Sequence, residues 1–139
     1  MPAGYARSWT PPLPPEADAP RRYAFLLIPG YSQLGFACAL EALSLANLHP
    51  SGRTFYTWRL IGETGAPVPA YNGVTTAVDA ALPDLDRSET LVVCAGNEAV
   101  QGSTKPILSW IRREVRKGMD FGALSSGTYT LALAGLLAG

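Results

Sequence analysis

Residues 119–139, Met-Asp-Phe-Gly-Ala-Leu-Ser-Ser-Gly-Thr-Tyr-Thr-Leu-Ala-Leu-Ala-Gly-Leu-Leu-Ala-Gly, constrain the fold of this chain more than any other stretch. An apolar run meets a Ser-Ser-Gly turn and passes straight into an Ala/Leu-rich segment of helical composition. A strand that bends sharply into a helix lifts one side chain out at the bend. It also aims the helix's first free N–H groups at whatever sits there. Enzymes place nucleophiles on such elbows. Here the bend carries Ser125. A serine hydroxyl is a poor nucleophile until a neighbouring base takes its proton, and the rest of the chain offers no evident base.

Upstream, the chain alternates strand with helix. Tyr23–Ile28 is a continuous apolar run of strand length, as a strand buried on both faces requires, and Pro29-Gly30 ends it. Ser32 suits the cap of a helix whose apolar positions Phe36, Leu40, Leu43 and Ala46 or Asn47 recur at helical spacing; His49-Pro50-Ser51-Gly52 stops it. Phe55–Ile61 alternates and is rich in aromatic and β-branched residues, giving a second strand. Gly65-Ala66-Pro67 and Tyr71-Asn72-Gly73 are turn signals around short extended pieces, read as a surface hairpin. Glu89–Cys94 is a third buried strand. A helix follows with Thr104 at its cap, Pro106 in its first turn, Ile107, Ile111 and Val115 as one apolar stripe, and Gly118 at its end. Asp120–Leu124 is the last strand, leading into the elbow. Such alternation predicts an α/β fold, a flavodoxin-like doubly wound parallel sheet with helices on both faces.

The 139 residues have room for one domain, residues 23–139, behind a leader at 1–22 that holds half of the prolines and is expected to be disordered. Eleven basic residues balance eleven acidic ones, so no global field draws in nucleic acid or an anionic membrane. Cys38 and Cys94 both lie in apolar segments and read as buried free thiols of a reducing, cytoplasmic compartment. No apolar stretch is long enough to span a bilayer, and the amino terminus lacks the apolar core of a signal peptide.

In an open parallel sheet, ligands sit at the carboxyl ends of the strands. Three segments converge there: Gly30-Tyr31-Ser32, Ala95-Gly96-Asn97 and Ser125-Ser126-Gly127. Gly96 permits close backbone approach, and the N–H of Ser126 points from the start of the elbow helix, an arrangement suited to a carboxylate or carbonyl oxygen. Two readings stand here: a ligand pocket, or only the turns that every doubly wound fold needs.

The residue inventory speaks against nucleophilic catalysis. His49, the one histidine, falls at the far end of the first helix and is expected at the opposite end of the sheet. Lys105 and Lys117 belong to a helix on the sheet's outer face. Two isolated cysteines and one histidine have no metal-ligand spacing, so neither a metal nor a cofactor is expected. Arg112, Arg113, Arg116 and Lys117 cluster near a helix C-terminus, either as a solvated face favoured by the dipole or as a nucleic-acid patch. Glu41, among Ala37, Ala39 and Ala42, faces a pocket, a dimer seam or solvent.

The order of these pieces resembles a known family. The segments are Leu27–Leu34, Ala39–Asn47, Tyr56–Leu60, Gly65–Val68 followed by Asn72-Gly73, Leu91–Gly96, and Gly122–Leu137. They resemble the amino-terminal domain of AraC/XylS-type transcriptional regulators of the GlxA-like group. That domain has the class I glutamine amidotransferase-like fold of the ThiJ/PfpI superfamily, and the resemblance covers residues 23–139. It implies that the cysteine of the family's enzymes is matched by Ser125 and their oxyanion-hole donors by the N–H groups of Gly96 and Ser126. An acidic residue near that cysteine is matched by Gly35. The partner histidine would fall beyond Gly139. The resemblance therefore implies a pocket that binds a small metabolite, an amino acid or a quaternary amine such as arginine, carnitine or betaine, without transforming it. Tyr31, Gly35, Gly96, Asn97, Ser125 and Ser126 are the expected ligand-binding residues, with no catalytic residue. It also implies a homodimer that contacts DNA only through a carboxy-terminal helix-turn-helix pair. On that view the chain is a fragment, a truncated product or part of a longer protein. A ThiJ/PfpI-type amidase, protease or deglycase using Ser125 is the competing reading.

Overall fold

The computed structural model describes residues 19–137. Most of the expected leader, residues 1–18, lies outside the described residues. The first strand begins slightly earlier than expected, at Arg21, because backbone pairing to the second strand reaches Arg21 and Tyr56.

Four strands carry the sheet: β1 (Arg21–Leu27), β2 (Tyr56–Gly62), β6 (Glu89–Ala95) and β7 (Phe121–Ser125). Between β2 and β6 come three two-residue pieces, β3 (Val68–Pro69), β4 (Thr75–Thr76) and β5 (Ala80–Ala81). The sheet is entirely parallel, in the order β5-β2-β1-β6-β7, and β3 and β4 pair antiparallel as the expected hairpin. Strand order reverses at β1, which lies between β2 and β6; this is the switch point where such sheets take ligands.

Alternate residues of β1 and the position just after it feed two cores. Ala24, Leu26 and Ile28 pack with Leu91, Val93, Ile107, Trp110 and Ile111, while Phe25 and Leu27 pack with Tyr31, Phe36 and Cys94. Three helices cover the first side: α2 (Ala99–Gly102), α3 (Lys105–Val115) and α4 (Gly127–Leu133). Among the described residues the second side has only α1 (Gln33–Ala46) and the hairpin. Helices on both faces were expected; the uneven cover was not.

Caps fix the helix starts as the sequence signals. Ser32 Oγ accepts from the Gly35 N–H at 3.2 Å, and Thr104 Oγ1 accepts from Ile107. The α3 stripe of Ile107, Ile111 and Val115 points inward and is joined by Trp110 and Glu114, both buried. In α1, Phe36 is buried and Leu40 and Leu43 are half-buried. Asn47 is the C-cap; its side chain accepts from the N–H groups of Phe55 and Tyr56 and donates to the Tyr56 carbonyl, tying the helix end to β2.

Two expectations change, and one placement left open is decided. Cys38 is exposed on α1 and only Cys94 is buried, because the apolar composition of α1 extends around to its outer side. The basic cluster of α3 is not simply a solvated face. Arg112 donates to the carbonyls of Ala134 and Leu133 at the end of α4, and Arg113 and Lys117 both bind Glu114. Glu114 in turn accepts from the Leu85 N–H at 3.0 Å and so holds the β5–β6 connection. Glu41 lies exposed on α1.

Candidate functional site

Ser125 sits at the junction of β7 and α4 with φ +53°, one of two non-glycine residues with positive φ among those described. The left-handed backbone is strained for a serine and is what turns the chain sharply enough to expose its side chain. The bend can be this tight because Gly127 has no β-carbon: one there would stand 2.1 Å from the Val93 carbonyl oxygen. The elbow is therefore built by α4 pressing onto β6.

The two loops at the switch point are stitched together in the same way. Ser32 N–H donates to the Ala95 carbonyl at 3.3 Å, and Ile28 N–H donates to that of Cys94 at 2.9 Å. A β-carbon at Gly96 would meet the Gly30 carbonyl oxygen at 2.3 Å. Gly96 is thus required by the approach of the β1–α1 loop, a structural reason that the sequence reading had assigned to ligand approach. Gly30 has φ +82°, and Glu98 lies against it, with Oε2 2.9 Å from where a β-carbon would stand. This carboxylate against the β1–α1 loop was missed; only its place beside Asn97 in the turn after β6 could have signalled it.

The expected ligand-binding residues separate into three groups. Gly96, Asn97 and Ser126, with Ala99, Val100 and Tyr129, line a cavity of about 350 Å³ between the β6–α2 turn and the first turn of α4. Gly35 and Ser125 meet on the other side of the elbow, where a β-carbon at position 35 would lie 3.9 Å from Ser125 Cβ. Tyr31 is placed elsewhere. It is wholly buried, stands edge-on to Phe36 and hydrogen-bonds Thr76 through its hydroxyl, so it anchors the hairpin rather than facing the cavity.

Tyr129 was not singled out from sequence. It is 63% exposed and lines the cavity from α4. Its position three residues after Ser126, hence on the same helix face, was the available signal. No hydrogen bond reaches Ser125 Oγ among the described residues; the nearby Thr128 hydroxyl donates to the Ser125 carbonyl instead. His49 lies at the end of α1, bonded to Ser51 and edge-on to Phe55, at the amino-terminal end of β2 and so at the opposite end of the sheet. Burial pushes the Cys94 thiol up to about 12, which keeps it protonated in the core. No group of three metal-ligating side chains occurs among the described residues, and none of the described helices is long and apolar enough to cross a membrane.

The fold has counterparts among solved structures. A ThiJ/PfpI family protein from Pseudomonas syringae superposes with a TM-score of 0.66 at 18% identity, covering 96% of this chain and 56% of that one. An AraC family transcriptional regulator from Pseudomonas putida gives a TM-score of 0.69 at 25% identity, covering 85% of this chain and 63% of that one. No protein-family model matches the chain. By sequence it is a homologue of HTH-type transcriptional regulators, and its fold is the one seen in the AraC family and ThiJ/PfpI family structures. It is 38% identical over 115 residues to the HTH-type transcriptional regulator CdhR of Pseudomonas aeruginosa, covering 83% of this chain and 34% of that protein. The HTH-type transcriptional regulator GlxA of Rhizobium meliloti is 32% identical over 118 residues, covering 84% of this chain and 36% of that protein. The chain thus spans about a third of the length of these curated relatives.

Proposed function

We propose that this chain is the effector-sensing and dimerisation part of an AraC/GlxA-type transcriptional regulator, working in the cytoplasm and binding a small metabolite without converting it. The observation that carries the reading is the state of the elbow. Ser125 is exposed on a strained bend, yet the residue against it is Gly35, where the resembling enzymes place an acid. A hydroxyl with no hydrogen-bonded base among the described residues is suited to hydrogen-bonding a ligand rather than attacking it. The effector sits at the carboxyl ends of β6 and β7, in the cavity lined by Gly96, Asn97, Ser126 and Tyr129. An amino acid or quaternary amine is the class the resemblance implies, and the exposed Tyr129 ring offers a face to a cation. Binding would favour one of two dimer geometries, and DNA would be contacted by a separate helix-turn-helix part.

The test is a thermal-shift screen against amino acids, glycine betaine and carnitine. A ligand at 100 times its Kd stabilises by about 2.7 kcal/mol, a shift that such a screen resolves easily. A hydrolase using Ser125 is the competing reading, favoured by the left-handed elbow itself. Turnover of an amide, ester or glyoxal substrate that disappears in Ser125→Ala would overturn the sensor assignment.

A further inference from the structure

The balance of eleven basic and eleven acidic residues hides a separation in space. The parallel strands start at one end of the molecule and finish at the other, and α3 runs back from the finish to the start. Among the described basic residues only Lys105, the first of α3, lies at the carboxyl end, where Glu63 and Glu98 follow β2 and β6. Every other described Lys or Arg lies at the amino-terminal end or, as Arg59 does from the middle of β2, reaches towards it. Part of that charge is neutralised locally. The five ion pairs among the described residues are all at this end, and they join four cations to four carboxylates: Arg22 to Asp86, Arg59 to Glu89, Arg113 to Asp84 and Glu114, and Lys117 to Glu114. Arg112 is bound to the carbonyls at the end of α4.

Four arginines are left over. Arg21, Arg87 and Arg116 are exposed, and no ion pair or side-chain hydrogen bond engages them among the described residues. Arg53 stands over the Phe55 ring, 5.3 Å from its centroid. Against them, Asp120 is the one carboxylate at this end outside the ion pairs among the described residues. The last carbonyls of α1 and α3 add about half a negative charge each, so about two positive charges remain in excess. The four positions are also ordered. Arg53 precedes β2, Arg21 opens β1, Arg87 is in the turn before β6, and Arg116 caps α3 just before β7. These strands are successive in the sheet, so the arginines form a row roughly 15 Å long at the strand spacing. A guanidinium presents a rigid fork that matches the oxygens of a phosphate. We infer that this end of the molecule lies against the phosphate backbone of duplex DNA, in a contact that carries no sequence information of its own. The inference rests on the regulator reading above, which puts DNA within reach of the chain, and it adds a contact to that of the separate helix-turn-helix part. DNA and effector then occupy opposite ends of the sheet and do not compete for one surface.

Salt dependence tests the contact. Binding of the 139-residue chain to a fluorescein-labelled duplex of arbitrary sequence is followed by anisotropy, from about 20 to about 200 mM salt. On a double-logarithmic plot the affinity should fall with a slope of about −3 to −4, since each phosphate contact contributes about −0.9. Arg21→Gln, Arg87→Gln and Arg116→Gln should each make the slope shallower by about 0.9 and weaken binding to unrelated duplexes alike. Arg87→Lys keeps the charge and should keep most of the slope. Lys105→Gln, at the other end of the sheet, should change neither slope nor affinity. Circular dichroism checks that each variant remains folded, as expected for exposed positions. Absence of DNA binding at the lowest salt overturns the inference, and so does binding indifferent to the three arginines. Phosphatidylserine vesicles or polyglutamate that bind more tightly than DNA through the same arginines overturn it as well, by assigning this end to a membrane or to an acidic protein. The effector screen uses neither DNA nor these variants, so failure of the sensor reading and failure of the DNA contact show separately.

Discussion

Gly35 and Ser125 lie on different elements 90 positions apart in sequence order, Gly35 in the first turn of α1 and Ser125 at the end of β7, and they meet at the elbow. A β-carbon at position 35 would make ordinary contacts, 3.5 Å to Ser32 Oγ and 3.9 Å to Ser125 Cβ. The absence of a side chain there is therefore not demanded by packing. Gly35→Ala should stabilise the chain by about 0.5–1 kcal/mol, the helix-interior gain over glycine. Chemical denaturation measures this directly. A loss of stability would mean that the elbow and α1 are closer than these distances indicate.

Gly96 and Gly127 should behave in the opposite way. At each, a new β-carbon would run into a backbone carbonyl, of Gly30 at 2.3 Å and of Val93 at 2.1 Å. Backbone cannot rotate aside as a side-chain tip can, so Gly96→Ala and Gly127→Ala should each cost about 1–3 kcal/mol or more. The melting temperature should fall whether or not effector is present. Unchanged stability with lost ligand affinity would restore the ligand-approach role expected for Gly96.

These glycines mark where the sequence stops being legible. The strands and the two longer helices could be read because their signals are local: apolar runs in β1 and β6, and the Ser32 and Thr104 caps, which bond within three residues. The elbow could be read for the same reason. What could not be read depends on distant partners. Gly96 is explained by Gly30, the burial of Tyr31 by Thr76, and the burial of Glu114 by Leu85, each far away in sequence. The helix α2 has four residues and no side-chain cap, and β5 is two alanines, so neither had a periodicity to detect. Of the candidate site, the three converging segments were visible but not their division into a cavity side and a Gly35–Ser125 side.

Glu114 makes stability depend on acid. Its burial raises the carboxyl, but hydrogen bonds from Lys117, the Leu85 N–H and Arg113 outweigh that and hold it below its ordinary value. A group with a depressed folded value stabilises fully above the unfolded value, about 4.3 for glutamate, and loses that contribution as pH falls through the folded value. The urea midpoint should therefore be steady from neutrality down to about pH 5 and fall below the unfolded glutamate value. Glu114→Gln should be less stable at pH 7 and show a shallower acid dependence. Equal slopes for the two proteins would remove Glu114 from the account.

The last prediction concerns the hydroxyl pair that joins the two walls of the cavity. Ser103 and Thr130 are buried, with Oγ and Oγ1 2.8 Å apart, and Ser103 also donates to the Ala99 carbonyl. Because the Ser103 proton is committed to Ala99, Thr130 is the donor within the pair. The direction makes the two truncations unequal. Thr130→Val removes the donor while Ser103 keeps its bond to Ala99, a loss of about 1 kcal/mol. Ser103→Ala strips Thr130 of its acceptor inside the core and should cost about 1–3 kcal/mol. In the double variant the second change should cost less than it does alone, with a coupling of at least 0.5 kcal/mol. Ala99 and Val100 form one wall of the cavity, and Ser126 and Tyr129 form the other. Loosening the pair should therefore weaken effector binding as well as stability. Additive stability changes in the cycle would show that the two hydroxyls do not act as a unit, and that the elbow helix is held against α2 by apolar contact alone.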